Sequence, residues 1–404
     1  MCSVGDENFE TEEEKCMPAG GKITLANTKC NKCRENDPIV VLRSKDAYCE
    51  ACFLAGATHK FKALLGKHKL IRPNDKVLIH HQIGHPSTAL LHFLRCGLDL
   101  TTHKKLRFDV IFVYVEDNSQ FTVDYRKEVL KKIENEIKLF KFVIKFVSFN
   151  DYIVNNNKLG DIVDNPDNLT LNEDDKININ NIFVSKLNKT NKNDILHIKK
   201  RNLLIEIAKN LNCKFILTPE ISSDIASQLL GEISLGRGSH VPIDTGFCDD
   251  RNQDVKILRP LRLFDMKELA FYNKLNSLDP ISIKQTEINP YSSVQDLMKK
   301  FVNDLQVNYP ATVTTIMKTG DKLAINDNGK QKCQLCMGPI LNSNEELSSA
   351  ESTSFSHWVS TQKPDNSKEK SRQEKYDSIL KHYKVSENNN YCYSCKKIEG
   401  SIKS

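Results

Sequence analysis

Four CxxC pairs carry the clearest chemistry in the chain. "CNKC" supplies Cys30 and Cys33, "CEAC" supplies Cys49 and Cys52, and fifteen residues separate the two pairs. Each pair forms a tight knuckle that presents two thiolates, and a spacer of this length lets two knuckles meet around one tetrahedral ion. Four thiolates leave no open coordination position, so the expected ion is a structural Zn²⁺. "CQLC" (Cys333, Cys336) and "CYSC" (Cys392, Cys395) repeat the theme across 55 residues. That spacer exceeds the usual window, yet closure entropy grows only with the logarithm of its length. A second structural zinc is therefore expected there, against the reading of two unrelated redox CxxC motifs. The N-terminus is acidic and lacks an apolar segment of the secretory kind, so thirteen cysteines do not read as a disulfide framework. Cys96 and Cys213, in apolar surroundings, read as buried structural thiols.

A second stretch has the form of a nucleotide site. "KVLIHHQIGHPSTALLHFLRC" (76–96) runs from a strand through a turn into a helix, the layout in which a turn delivers an anion to the first amides of a helix. The turn is Gln82, Ile83, Gly84, His85, Pro86 and Ser87. Ile83 sets a branched side chain where the backbone must approach a phosphate, Pro86 lacks an amide proton, and no acid is present. Gly84 and Ser87 are the candidate nucleotide contacts of a turn that makes a poor phosphate cradle.

A third feature is basic. Between Glu50 and Asp75 there is no acidic residue, while Lys60, Lys62, Lys67, Lys69 and Arg72 occur with His59 and His68. Beside a zinc knuckle this surface is a candidate clamp for an RNA backbone. A solvated lysine face is the plainer alternative. The net charge of +6 permits an acidic partner without requiring one.

The elements that must position these residues follow an alternating pattern. Strands are expected at 76–81, 107–115, 142–149, 214–219 and 254–261, with helices at about 87–96, 122–139, 195–211, 221–235 and 265–276. Such alternation predicts an α/β fold with a mostly parallel sheet covered on both faces. The domain reading is a disordered acidic tail (1–29), an N-terminal zinc module with a basic helix (30–72), an α/β core (73–290), a helical region (291–330) and a C-terminal zinc ribbon (331–404). Two polar, low-complexity stretches, 151–193 and about 343–388, read as insertions. No apolar run is long enough to span a membrane.

Several stretches in order resemble the cytoplasmic tRNA 2-thiolation proteins, and best the family of the second member. They are "CNKCRENDPIVVLRSKDAYCEACF", "HKFKALLGKHKLIRPNDKVLI", "LGRGSHVPIDTGFCDDR", "RPLRLFDMKELAFYNKL", "YPATVTTI", "CQLCMGPI" and "YCYSC". The resemblance implies a PP-loop core (Rossmann-like, adenine nucleotide alpha hydrolase-like) carrying N- and C-terminal zinc-ribbon modules. Active PP-loop enzymes read Ser-Gly-Gly-x-Asp-Ser where this chain has Gln82–Ser87, and only Gly84 and Ser87 match, so the loop reads as the shell of an ATP site. The thiolating branch has central cysteines, but "DILHIKKRNLLIEIA" (194–208) has none, so no iron–sulfur cluster is expected here. A further nucleotide motif survives only as Thr218 and Asp224. Arg237 of "LGRG" could contact a phosphate or a partner, although capping of a helix end is the plainer reading.

The implied role is a non-catalytic cytosolic subunit that makes a heterodimer with the catalytic thiolation subunit. That enzyme would modify the wobble uridine U34 of tRNA Lys, Glu and Gln (mcm5s2U), with sulfur from a ubiquitin-related modifier. The alternatives are that this chain is itself an ATP-dependent tRNA sulfurtransferase, or a zinc-ribbon RNA-binding module unrelated to thiolation.

Overall fold

The computed structural model describes residues 29–42, 46–102, 105–155, 157–173, 175, 187–283, 289–323, 331–340 and 390–403, with isolated positions at 353, 356–357 and 360–361. The N-terminal module begins as an antiparallel pair, β1 (Val40–Leu42) and β2 (Asp46–Tyr48), and continues into helix α1 (Glu50–His68). Phe53, Ala57, Phe61 and Leu64 recur at intervals of four, four and three residues, which is one face of a helix, and that face is buried. The helix ends where Lys69 adopts a left-handed conformation (φ 47°).

The core is a six-stranded sheet built from β3 (Lys76–His81), β4 (Asp109–Glu116), β5 (Val143–Ser148), β6 (Phe215–Leu217), β7 (Cys248–Asp249) and β8 (Lys256–Leu258). Its order is β5-β4-β3-β6-β8-β7, parallel throughout except for the β7–β8 edge pair. The interior strands are near-continuous apolar runs because both faces are covered. Val77 and Ile79 of β3 enter one core with Phe61, Phe93 and Phe264, while Leu78 enters the other with Val113, Leu203 and Ile216.

Helices α2 (His85–Leu98), α3 (Val123–Leu139), α4 (Phe149–Val154), α5 (Lys189–Asn210), α6 (Ser222–Ser234) and α7 (Val241–Thr245) connect these strands, and α8 (Met266–Leu275) follows the last of them. The chain lays down β3, β4 and β5 in one direction and then returns to build β6 and β8 on the other side of β3. The strand order therefore reverses between β3 and β6, the place where a crevice opens beyond the carboxyl ends of the strands.

The expected helical region at 293–319 is two helices, α9 (Val294–Asn308) and α10 (Pro310–Gly320), because Pro310 cannot donate to the preceding turn. The stretch 151–193 is not one exposed insertion. Its first part packs on the core: Val163 bridges Phe146, Leu169 is buried, and Asp175 pairs with the buried Arg126 at 2.8 Å. Positions 176–186, the tail through residue 28 and most of 343–388 lie outside the described residues. A last helix, α11 (Tyr393–Lys403), starts inside the fourth CxxC.

Candidate metal centres, nucleotide pocket and basic groove

The two groups of four cysteines converge. Within each group the sulfurs all lie within 4.8 Å of one another. Cys33 Sγ is 3.9 Å from Cys49 Sγ, and Cys336 Sγ is 3.7 Å from Cys392 Sγ. A tetrahedral ion with metal–sulfur bonds of 2.3 Å needs sulfurs about 3.8 Å apart, so the thiolates fit a single ion. The first knuckles of the two sites are built alike. Arg34 N–H donates to the Cys30 carbonyl and Met337 N–H to the Cys333 carbonyl, both at 2.9 Å. Arg34 (φ 62°) and Met337 (φ 61°) both turn left-handed immediately after the second cysteine. Cys49 then caps α1 and Cys52 sits in its first turn, so the helix carries the closing half of the N-terminal site.

The crevice beyond the strand ends holds the degenerate loop. Gly84, at φ 118°, makes the turn that a side chain would strain. The hydroxyls at the start of α2 are occupied by protein: Ser87 Oγ accepts from Gln82 N–H at 2.8 Å, and Thr88 donates to Glu136 at 2.5 Å. The cavity left there is about 100 Å³. Ligand pockets run to about 300–1,000 Å³, so this cavity is small beside them.

What fills the space is a set of buried ion pairs. Arg259 binds Glu220 (2.6 Å), and Arg251 bridges Asp244 (2.5 Å) and Asp249 (2.6 Å). Arg201 also binds Asp249 (2.9 Å), and Arg237 binds Asp194 (2.6 Å) and Glu232 (3.1 Å). Burial alone would raise the Asp249 carboxyl, but Arg251 and Arg201 hold it well below the usual carboxylate range. Burial and the neighbouring Asp244 push Glu232 up to about 7.

At the opposite end of the sheet lies a larger groove of about 1080 Å³. Its walls come from α1, α2 and α8 and from the loops before β3 and β4. Lys62, Lys69, Arg72, Lys105 and Arg107 line it, and among the described residues no carboxylate does. Cys96 is exposed on this wall rather than buried, with its sulfur 3.5 Å from His92 Nε2. Cys213 is buried, as expected.

A Drosophila simulans protein named cytoplasmic tRNA 2-thiolation protein 2 is 33% identical over 360 residues, which cover 84% of this chain and 85% of that one. The chain belongs to the cytoplasmic tRNA 2-thiolation protein 2 family. The Xenopus laevis family member 2-A is 28% identical over 424 residues, covering 90% of this chain and 82% of its own. The family's model, described as cytoplasmic tRNA 2-thiolation protein 2, matches residues 293–397, from α9 through the last CxxC. Among solved structures the fold is similar to the U34-tRNA thiolase NcsA of Methanococcus maripaludis with its [4Fe-4S] cluster. The TM-score is 0.55 at 17% identity, over 80% of this chain and 95% of that one. The PP-loop α/β architecture expected from the sequence is therefore the fold of this family member. No helix among the described residues is long and apolar enough to cross a membrane.

Within this family frame, several side chains do other work than the sequence suggested. Lys60 does not line the groove: its ammonium binds Glu268 at 2.7 Å and lies 4.3 Å from the centre of the Phe264 ring. Lys67 is exposed but is not among the groove residues. Asp224 accepts the Ile221 N–H at the start of α6, and Thr218 donates to Glu220, so the two retained motif residues serve the fold. Arg237 is buried in ion pairs and a contact to Cys395 rather than offered to a phosphate. Lys105 and Arg107 were missed because "HKKLRF" leads straight into the strand expected at 107–115. Their signal was the absence of acid across the turn that faces α1.

Proposed function

We propose that this chain is the non-catalytic subunit of a wobble-uridine 2-thiolation complex. Its partner would be the catalytic thiolation subunit, with sulfur supplied by a ubiquitin-related modifier to U34 of tRNA Lys, Glu and Gln. One observation carries the reading: the crevice in which a PP-loop fold binds its nucleotide is about 100 Å³ and packed with Arg–carboxylate pairs. In this reading two Zn²⁺ ions, one held by Cys30, Cys33, Cys49 and Cys52 and the other by Cys333, Cys336, Cys392 and Cys395, stabilise the terminal modules. Their chemistry is structural, because four thiolates satisfy the ion. The close approach of the four sulfurs supports one ion per site rather than a larger cluster.

The basic groove supports a role in holding tRNA. Five cations without a carboxylate suit a run of phosphates, with Lys62, Lys69 and Arg72 joined by Lys105 and Arg107. The groove lies at the amino ends of the strands, away from the filled crevice, as suits a subunit that grips RNA without processing it. ATP–pyrophosphate exchange tests the reading. The purified chain is expected to give background exchange, with activity appearing only when the catalytic subunit is present. Exchange by the isolated chain would favour the alternative that it is itself a sulfurtransferase.

A further inference from the structure

The two metal centres differ in what surrounds their sulfurs. At the N-terminal site Cys33 and Cys52 are partly exposed, and a side-chain contact to a ligand sulfur comes from a neutral amide, Asn36 Nδ2 at 3.9 Å from Cys49. At the C-terminal site all four cysteines are buried. A divalent ion with four thiolates carries two net negative charges, and burying them is costly unless a cation or hydrogen-bond donors compensate.

The structure supplies a hydrogen-bond donor, a guanidinium whose own charge is balanced by Asp194 and Glu232. Arg237 Nη2 donates to Cys395 Sγ at 3.6 Å from a side chain that is 3% exposed. Its guanidinium is fixed by Asp194, at 2.8 and 2.6 Å to the two carboxylate oxygens, and by Glu232 at 3.1 Å, and the Nη2 that binds Asp194 is the one that also donates to the sulfur, so the fork is held in place. The surrounding loop is shaped to the module. Gly236 (φ 83°) lies under the Tyr393 ring, where an added Cβ would come within 2.6 Å of Cδ1. His240 donates from Nε2 to the Pro339 carbonyl at 2.9 Å.

Resting on the zinc reading above, we propose that Arg237 is a positioning residue of the C-terminal metal centre, holding the Cys395 thiolate so that the four sulfurs stay assembled on the core. Partners that orient a metal ligand typically alter affinity by about 10- to 100-fold when removed. Lysine is a poor substitute, because it is a point charge and cannot bind Asp194 with two parallel bonds while donating to sulfur.

The experiment measures zinc content of the full-length chain and its transfer to a chromogenic chelator, for the natural sequence, Arg237→Gln and Arg237→Lys. The natural chain is expected to hold two zinc ions. Arg237→Gln should release one of them at least about tenfold faster, with the other unchanged, and Arg237→Lys should fall between. Cobalt-loaded Arg237→Gln should show a thiolate-to-metal absorption band moved to longer wavelength, since the sulfur has lost a donor. A role in packing alone would lower the melting temperature without moving that band. Two zinc ions in the natural chain, with release and spectrum unaltered in both variants, would overturn the role of Arg237 alone. Fewer than two in the natural chain would overturn the zinc reading and this inference together.

Discussion

At the scale of single residues, function and fold part company around Asp249. It is 1% exposed and sits between Arg251 and Arg201. Burial pushes its carboxyl up and the two guanidinia push it further down, so it titrates below its ordinary range. A depressed acid contributes stability that is complete above the unfolded value, near 3.9, and is lost as pH falls through the folded value. Asp249→Asn leaves two buried cations short of a partner and should cost about 3–5 kcal/mol. Urea melts should show that deficit as constant from pH 5 to 8, narrowing only in stronger acid. The cysteine ligands were legible in the sequence because coordination demands a fixed residue type at a fixed spacing. The pairs that fill the crevice were not: Arg201–Asp249, Arg237–Asp194 and Arg259–Glu220 join residues 48, 43 and 39 positions apart, and nothing in the sequence marks the local Arg251–Asp249 pair as buried. Lys60 shows the same limit, since its partner Glu268 lies 208 positions away.

At the scale of elements, the groove depends on how α1 and two loops meet. The apolar stripe of α1 fixes which side turns outward, and the left-handed turn at Lys69 brings Arg72 round beside the loop before β4. If RNA phosphates lie there, each lost contact should reduce the slope of log K against log salt by about one. Arg72→Gln and Arg107→Gln, assayed for tRNA binding across a salt series, are each expected to show that drop. Lys67→Gln, outside the groove, should leave the slope unchanged, and equal effects in all three would sink the groove as the site. The long strands and amphipathic helices were readable from periodicity. The break at Pro310 was open to reading from the proline itself, whereas the packing of 157–173 and Asp175 was not, because tertiary contacts decide it: Asn150, Arg126 and Asp175 form a buried cluster that polar composition conceals.

At the scale of the whole molecule, the parallel sheet separates two ends with different fates. The carboxyl end is closed by paired charges and by the C-terminal module, whose Cys336 lines the remaining cavity. The amino end stays open and basic. The sequence suggested both modules but not that the second one docks on the core, since nothing in "LGRGSH" names its neighbour. That docking has a mechanical consequence. The two halves of the C-terminal site stand 55 residues apart in sequence, yet Gln334 N–H donates to the Asn390 carbonyl at 2.9 Å and their sulfurs meet at 3.7 Å. A chain nicked at a protease site engineered within 343–388 should therefore elute as one particle in gel filtration while running as two bands in a denaturing gel. Adding a strong chelator should let the carboxyl fragment drift free, the ion having served as the clasp across the cut.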